Sequence, residues 1–339
     1  MKKAVLKGIG DIEIVDGPEP ILKEGEALVE VAACGLCHSD VDSYLGKSLD
    51  LIPVPRVCGH EFGGTIKKLN GKTKLKVGDS VVVSPIISCG NCYYCKMGRD
   101  QLCISAGKGV QIPNIGQARD GAFAEMIAVP ICNLIKIPDD FDMELTGIIE
   151  PVAVAYADTK GIKDSNVVII GAGGIGLIAL KLLKQNNNRV IAVDISSKSL
   201  ERAKKAGADY NVNIEDKKRV EKIEDFLKGG FVDYVLNYHL SNDTMDFAIA
   251  VIKKYGEIKN MSTSDEKIET DINATIIKEI KMVGHMAYTM EEFKEAVDII
   301  VGKKINVKDV ISAKFPLEKT KEAFDYKIKE NVAKVIIVN

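Results

Sequence analysis

Residues 167–180 read VVIIGAGGIGLIAL. The first four are β-branched and suit a buried strand. The last four are apolar and suit a packed helix. Between them Gly171, Gly173 and Gly176 have G-x-G-x-x-G spacing. Glycines at these places let the chain turn sharply from strand to helix and bring bare backbone against a pyrophosphate at the helix N-terminus. Gly174 and Ile175 complete the turn as cofactor-contacting positions. Asp194 closes the next apolar stretch, 23 positions after Gly171, where a carboxylate can accept hydrogen bonds from an adenosine ribose. The competing reading is a glycine-rich turn that serves some other ligand.

Strand and helix alternate outward from this turn. Strands are expected at 167–170, 190–193, 232–236 and 257–261, and helices at 175–185, 197–205 and 244–253. That rhythm predicts a doubly wound parallel sheet of Rossmann type, so the fold class is α/β. Upstream, residues 27–33, 63–69, 80–83 and 123–129 are short β-like runs broken by turn residues, an irregular β-rich domain. A helix at 290–301 and a strand at 333–338 close the chain and are expected to return to that first domain. The division expected is 1–155 with 291–339 as one domain and 156–290 as the other, with the cleft between them as the default place for chemistry.

At 339 residues the chain suits two cores. With 46% hydrophobic and 28% charged residues it reads as globular, and a net charge of −2 offers nothing to nucleic acid or an anionic membrane. The longest apolar stretch, 167–180, is 14 residues with four glycines, too short to span a bilayer. Lys7 and Gly8 interrupt the N-terminal apolar run before a signal-peptide core can form, so a cytoplasmic protein is expected. Its eight cysteines are then read as metal ligands or buried thiols, not a disulfide framework.

Cys89, Cys92, Cys95 and Cys103 follow C-x2-C-x2-C-x7-C. Four thiolates so close can enclose one tetrahedral zinc with no position left for water, a structural site. A ferredoxin-type iron–sulfur cluster would have a three-residue final gap followed by Pro, whereas here the gap is seven and Ile104 follows. A second, open site can be assembled from CGLCHSD (34–40), GHE (59–61) and EPVAVA (150–155). Cys37, His60 and Glu150 offer one thiolate, one imidazole and one carboxylate, three ligands with a fourth position free. Each alone has a plain alternative, a buried thiol or a hydrogen-bonded side chain. Cys34 and Cys37 also spell C-x-x-C, but no thioredoxin-like βαβ unit surrounds them, so Cys34 is read as buried, like Cys58 and Cys132. His239 and His285 are read as structural.

In this order the motifs resemble the zinc-dependent medium-chain dehydrogenase/reductase family over essentially the whole chain, including AKKAGADY at 203–210 and the closing AKVIIVN. The resemblance implies a GroES-like catalytic domain built from both ends of the chain with a Rossmann domain inserted, two zinc ions per chain, NAD, and a homodimer or homotetramer. It implies Cys37, His60 and Glu150 as catalytic zinc ligands, Glu61 as a carboxylate that can approach the metal, Ser39 as the hydroxyl that passes on the alcohol proton, and Asp40 as the group orienting the zinc-bound imidazole. A carboxylate at 150 followed by Pro151 looks more like polyol, threonine and sugar dehydrogenases than ethanol-type enzymes. Two departures stand out: Asp42 replaces the His that ends the proton relay in many relatives, and Ser199, with Lys198 beside it, replaces a common cation near the adenosine. The implied reaction moves a hydride between a secondary, polyol-like alcohol or its ketone and NAD. Alternatives are an amino-alcohol (threonine-type) or sugar-phosphate dehydrogenase on the same scaffold, and a non-catalytic protein of the same fold.

Overall fold

The run at 167–170 forms the strand Asn166–Ile170, in which Val167 to Ile170 are at most 2% exposed, as expected of a strand covered on both faces. A computed structural model of the chain describes residues 1–47, 53–104, 114–264 and 266–339. The chain divides into two units, Met1–Ala153 with Tyr288–Asn339, and Val154–Ala287. In the second unit the sheet among the described residues runs Tyr210–Asn213, Arg189–Asp194, Asn166–Ile170, Val232–Asn237, Ile252–Asn260, Lys281–Gly284, parallel throughout. The strand carrying the glycine turn is central, and the order reverses beside it, the dinucleotide-binding arrangement.

Two strands of this sheet escape the sequence pattern. Tyr210–Asn213 and Lys281–Gly284 have four residues each, and the second is exposed along its whole length. The helix expected at 244–253 runs instead Asn242–Val251, and the next strand begins at Ile252. Lys278 stops the helix there, its ammonium donating to the carbonyls of Ile249 (2.6 Å), Ala250 (3.1 Å) and Ile252 (3.3 Å), a cation at the negative end of the helix dipole.

In the first unit the strand Glu26–Leu36 is the spine. It pairs antiparallel with Glu61–Asn70, with Met126–Pro130 and with the final strand Lys334–Val338. That final strand sets Ile337 opposite Cys34. The helix Thr146–Thr159 contains Pro151, which removes the N–H that would bond the Gly147 carbonyl. That carbonyl faces Gly35, where a Cβ would lie 2.2 Å from it. Among the described residues no helix is long and apolar enough to cross a membrane.

Candidate active site and metal centres

The sulfurs of Cys89, Cys92, Cys95 and Cys103 all lie within 4.8 Å of one another. Cys92 to Cys95 is 3.5 Å, while Cys89 to Cys95 and Cys92 to Cys103 are 4.0 Å. Zn–S bonds of about 2.3 Å in a tetrahedron put sulfurs about 3.8 Å apart, so the spacing fits zinc. Gly90 and Gly98, with φ of +69° and +71°, make the turns that bring the loop round. Cys92 caps the short helix Tyr93–Lys96, and the Cys89 N–H donates to the Cys103 sulfur at 3.3 Å. Amide donors from Cys95 and Ile104 lower the Cys92 thiol, whereas burial and the neighbouring thiols push Cys95 up to about 12. Four thiolates cannot share this space without a cation to hold them.

Cys37, His60 and Glu61 bring their ligand atoms within 4.8 Å of one another. Cys37 is the N-cap of the helix His38–Tyr44. Asp40, wholly buried, accepts the Cys37 N–H at 3.0 Å and the Gly59 N–H at 3.4 Å. Its Oδ1 is 3.8 Å from His60 Nδ1, a buried nitrogen with no hydrogen-bond partner among the described residues. One carboxylate thus ties both ligand-bearing segments together and faces the imidazole, a supporting contact of the kind metal-bound histidines use. Gly59 must be glycine: its φ is +94°, and a Cβ would lie 2.8 Å from the Cys34 sulfur. Cys34 and Cys58 are buried, and burial pushes both thiols well up, consistent with inert packing, whereas Cys132, expected to be buried with them, is exposed.

Glu150, expected from the sequence as the third ligand, is not in the group of Cys37, His60 and Glu61; it feels the charges of His60 and Glu61, and the surroundings of the two carboxylates differ. Glu61 is 1% exposed, and Lys334 donates to both its oxygens, at 2.8 and 2.6 Å. Burial pushes the Glu61 carboxyl up, but Lys334 and His60 more than offset this and it ends below its ordinary value. The Glu61 side chain lies across Gly35, where a Cβ would be 2.0 Å from Oε2. Glu150 is also buried but, among the described residues, no lysine bonds its carboxylate. Burial pushes it up to about 7, the Glu61 charge adding to this while His60 and the Tyr288 hydroxyl oppose it. Three acids and a thiol around one imidazole leave negative charge that suits a divalent cation. Ser39 presents a buried hydroxyl with no hydrogen-bond partner among the described residues, while Asp42 lies 3.7 Å from His38 Nε2 and 3.9 Å from the Lys47 ammonium.

The glycine turn takes the geometry its sequence implies. Gly171 has φ +95°, Gly173 caps the helix Gly174–Lys184, and a Cβ on Gly176 would lie 2.1 Å from the Gly171 carbonyl oxygen. Ile175 lies in the first turn of that helix. Asp194 accepts from the Ala172 N–H and the Ser196 N–H, each at 2.8 Å, which fixes the carboxylate beside the turn and leaves lone pairs on both oxygens. Lys198 is exposed on the following helix. Arg202 bonds the Ser199 hydroxyl at 3.0 Å and interacts with the Asp194 charge.

No motif in the sequence marks Lys334, Tyr288 or Arg202. The first had a usable signal, a lone cation in a strand otherwise made of Val and Ile. The other two depend on which residues tertiary folding brings near Glu150 and Asp194.

The comparisons with known proteins place the chain in a family. Residues 23–139 match the alcohol dehydrogenase GroES-like domain and residues 174–302 the zinc-binding dehydrogenase domain. An alcohol dehydrogenase of Geobacillus stearothermophilus is 30% identical over 98% of this chain and 97% of its own. The sorbitol dehydrogenase of Bacillus subtilis is 28% identical over 96% and 93%. The NADH complex of an Escherichia coli alcohol dehydrogenase superimposes with a TM-score of 0.90 at 26% identity, covering 100% of this chain and 99% of that one. With a thiolate cage, an open cysteine–histidine–carboxylate centre and a dinucleotide turn on one GroES-like and Rossmann chain, the protein belongs to the zinc-type medium-chain alcohol dehydrogenases, oxidoreductases whose cofactors are zinc and NAD.

Proposed function

We propose that the chain interconverts a secondary, polyol-like alcohol and its ketone, with Cys37, His60 and Glu150 holding the catalytic zinc and Cys89, Cys92, Cys95 and Cys103 the structural one. The supporting observation is the unequal pair of buried carboxylates. Lys334 engages both oxygens of Glu61, so Glu150 is the acid left available as a permanent ligand, and Glu61 is the one that can exchange. A carboxylate ligand is also the feature by which the sequence resembles polyol dehydrogenases, and the sorbitol dehydrogenase above is among the relatives.

Bound there, zinc supplies Lewis acidity toward the alcohol oxygen and NAD supplies the hydride acceptor. The chain's own residues handle position and protons. Asp40 orients His60. Ser39, with its unpartnered hydroxyl, receives the alcohol proton, and Asp42 with His38 stands next along the same helix in place of a terminal histidine. Asp194 accepts from the adenosine ribose and repels a 2′-phosphate as a like charge, with Lys198 secondary because a flexible ammonium does not remove the carboxylate.

Assaying the zinc-loaded protein with NAD⁺ and NADP⁺ against polyols, threonine and polyol phosphates tests this. Polyol oxidation with NAD⁺ is expected, and Asp194→Ser should raise the KM for NAD⁺ and improve relative use of NADP⁺ with zinc content unchanged. Oxidation of threonine or a phosphate ester in preference to every polyol would overturn the substrate assignment.

The homodimer or homotetramer reading gains support from the edge strand Lys281–Gly284, whose outer backbone groups have no strand beside them among the described residues and whose Met282 and Val283 are exposed, as are Ile276 and Ile277 just before it. A second copy pairing edge to edge about a twofold axis would cover both. Sedimentation should show at least twice the 36.9 kDa chain mass, and a single-chain mass would rule this out.

A further inference from the structure

One buried carboxylate–imidazole pair belongs neither to the metal centres nor to the glycine turn. Asp158, wholly buried in the last turn of the helix Thr146–Thr159, has Oδ1 2.5 Å from His285 Nδ1. A contact this short with a carboxylate is charge-assisted. The buried Tyr238 hydroxyl lies beside the same carboxylate, and the Lys259 ammonium donates to the Asp158 carbonyl at 2.8 Å. Burial pushes the Asp158 carboxyl up, against the pull of its His285 hydrogen bond and of the nearby Tyr238 hydroxyl. That is a costly arrangement to build for packing alone.

Its place in the fold suggests a purpose. Tyr238 follows the carboxyl end of Val232–Asn237, and Lys259 is the penultimate residue of Ile252–Asn260. His285 follows the carboxyl end of Lys281–Gly284, its N–H donating to the Asn260 carbonyl at 3.0 Å. The glycine turn reaches the same edge, since a Cβ on Gly171 would lie 3.2 Å from Tyr238 Cβ and 3.7 Å from His239 Cβ. Open α/β sheets bind ligands outside the carboxyl ends of their strands, and a dinucleotide lies across both halves. Gly171–Gly176 and Asp194 serve the half made by the first three strands in chain order, which leaves the nicotinamide nucleotide over the last three. An ionised Asp158 only accepts, so the neutral His285 tautomer that matches it carries its proton on Nδ1 and presents Nε2 as an acceptor on the far side of the ring. The His285 side chain keeps 19% of its surface exposed.

We infer that His285 is a cofactor-binding residue for the nicotinamide half, with Nε2 accepting from the carboxamide or ribose hydroxyl, and that Asp158 is the positioning residue that sets its ring. The inference rests on the dinucleotide reading of the glycine turn, and the test separates the two. Calorimetric titration of the zinc-loaded full chain with NADH and with ADP-ribose, which lacks nicotinamide, reads each half of the site. His285→Ala should weaken NADH about tenfold, the loss expected for one hydrogen bond of this kind, and leave ADP-ribose unchanged. Asp158→Asn should show the same selectivity. His285→Gln, which keeps a polar group near the Nε2 position and guards against a merely unstable Ala variant, should recover part of the NADH affinity. Equal weakening of both ligands would mean a structural role and overturn the inference, as would NADH binding that none of these substitutions changes. A parent protein that binds neither ligand would overturn the dinucleotide reading, and the inference with it.

Discussion

His60→Ala is expected to strip one of two zinc ions from each chain and to lower kcat/KM by about a thousandfold or more, with the fold intact. His60 is the shared neighbour of Cys37, Glu61 and Glu150, and it belongs to the strand-initiating GHE segment that Asp40 fixes. A Lewis acid at the reacting oxygen is worth several kcal/mol, and each ~1.4 kcal/mol is tenfold in rate. Cys37→Ser should behave alike. Cys103→Ser should do the opposite, losing the other zinc and lowering the melting temperature more than turnover, because its site has no open coordination position. Metal analysis, melting temperature and steady-state kinetics on the same preparations decide the matter. Glu150→Ala should join the first group, and Glu61→Ala should keep both metals while turning over more slowly. If Glu61→Ala alone empties the open site, Glu61 is the permanent ligand. Iron and sulfide in the quartet would replace the structural-zinc reading altogether.

Lys334→Met should be among the most destabilising single changes in the first unit, by about 3–5 kcal/mol, the usual cost of leaving one member of a buried ion pair alone. Side-chain exposure is 5% for Lys334 and 2% for Glu61, so water cannot take over the lost partner. Burial opposes the charge on both groups, but mutual attraction outweighs it, lowering the Glu61 carboxyl and raising the Lys334 ammonium. The pair's contribution is therefore fully present between the ordinary Glu and Lys values. It is lost as pH falls through the lowered Glu61 value or rises through the raised Lys334 value. Denaturant titration at neutral pH measures the loss, and the double variant Lys334→Met with Glu61→Gln should recover much of it. The single variant should also lower activity, because a released Glu61 competes with Glu150 for the metal. Unchanged stability in Lys334→Met would mean that the clamp does not hold Glu61 in solution.

The zinc quartet and the dinucleotide turn were legible because each is local. Four cysteines within fifteen residues define a cage by spacing alone, and three glycines between a β-branched strand and an apolar helix define a turn by sterics. Even Asp194 is local in this sense, since strand length sets where the next strand ends. The alternating pattern likewise carried the parallel sheet, and it missed the strands whose four residues are too few or too exposed to leave a period. The environment of the open metal centre is different in kind. Its ligands come from residues 37, 60–61 and 150, and what separates Glu61 from Glu150 is a lysine 273 positions away in sequence, delivered when the last strand pairs beside Cys34. The same holds for Asp158 and His285, 127 positions apart. A residue's type shows that it can bind a metal, take a proton or pair with a charge. Which of these it does depends on burial and on the charge of its neighbours, and only the folded chain brings those neighbours together.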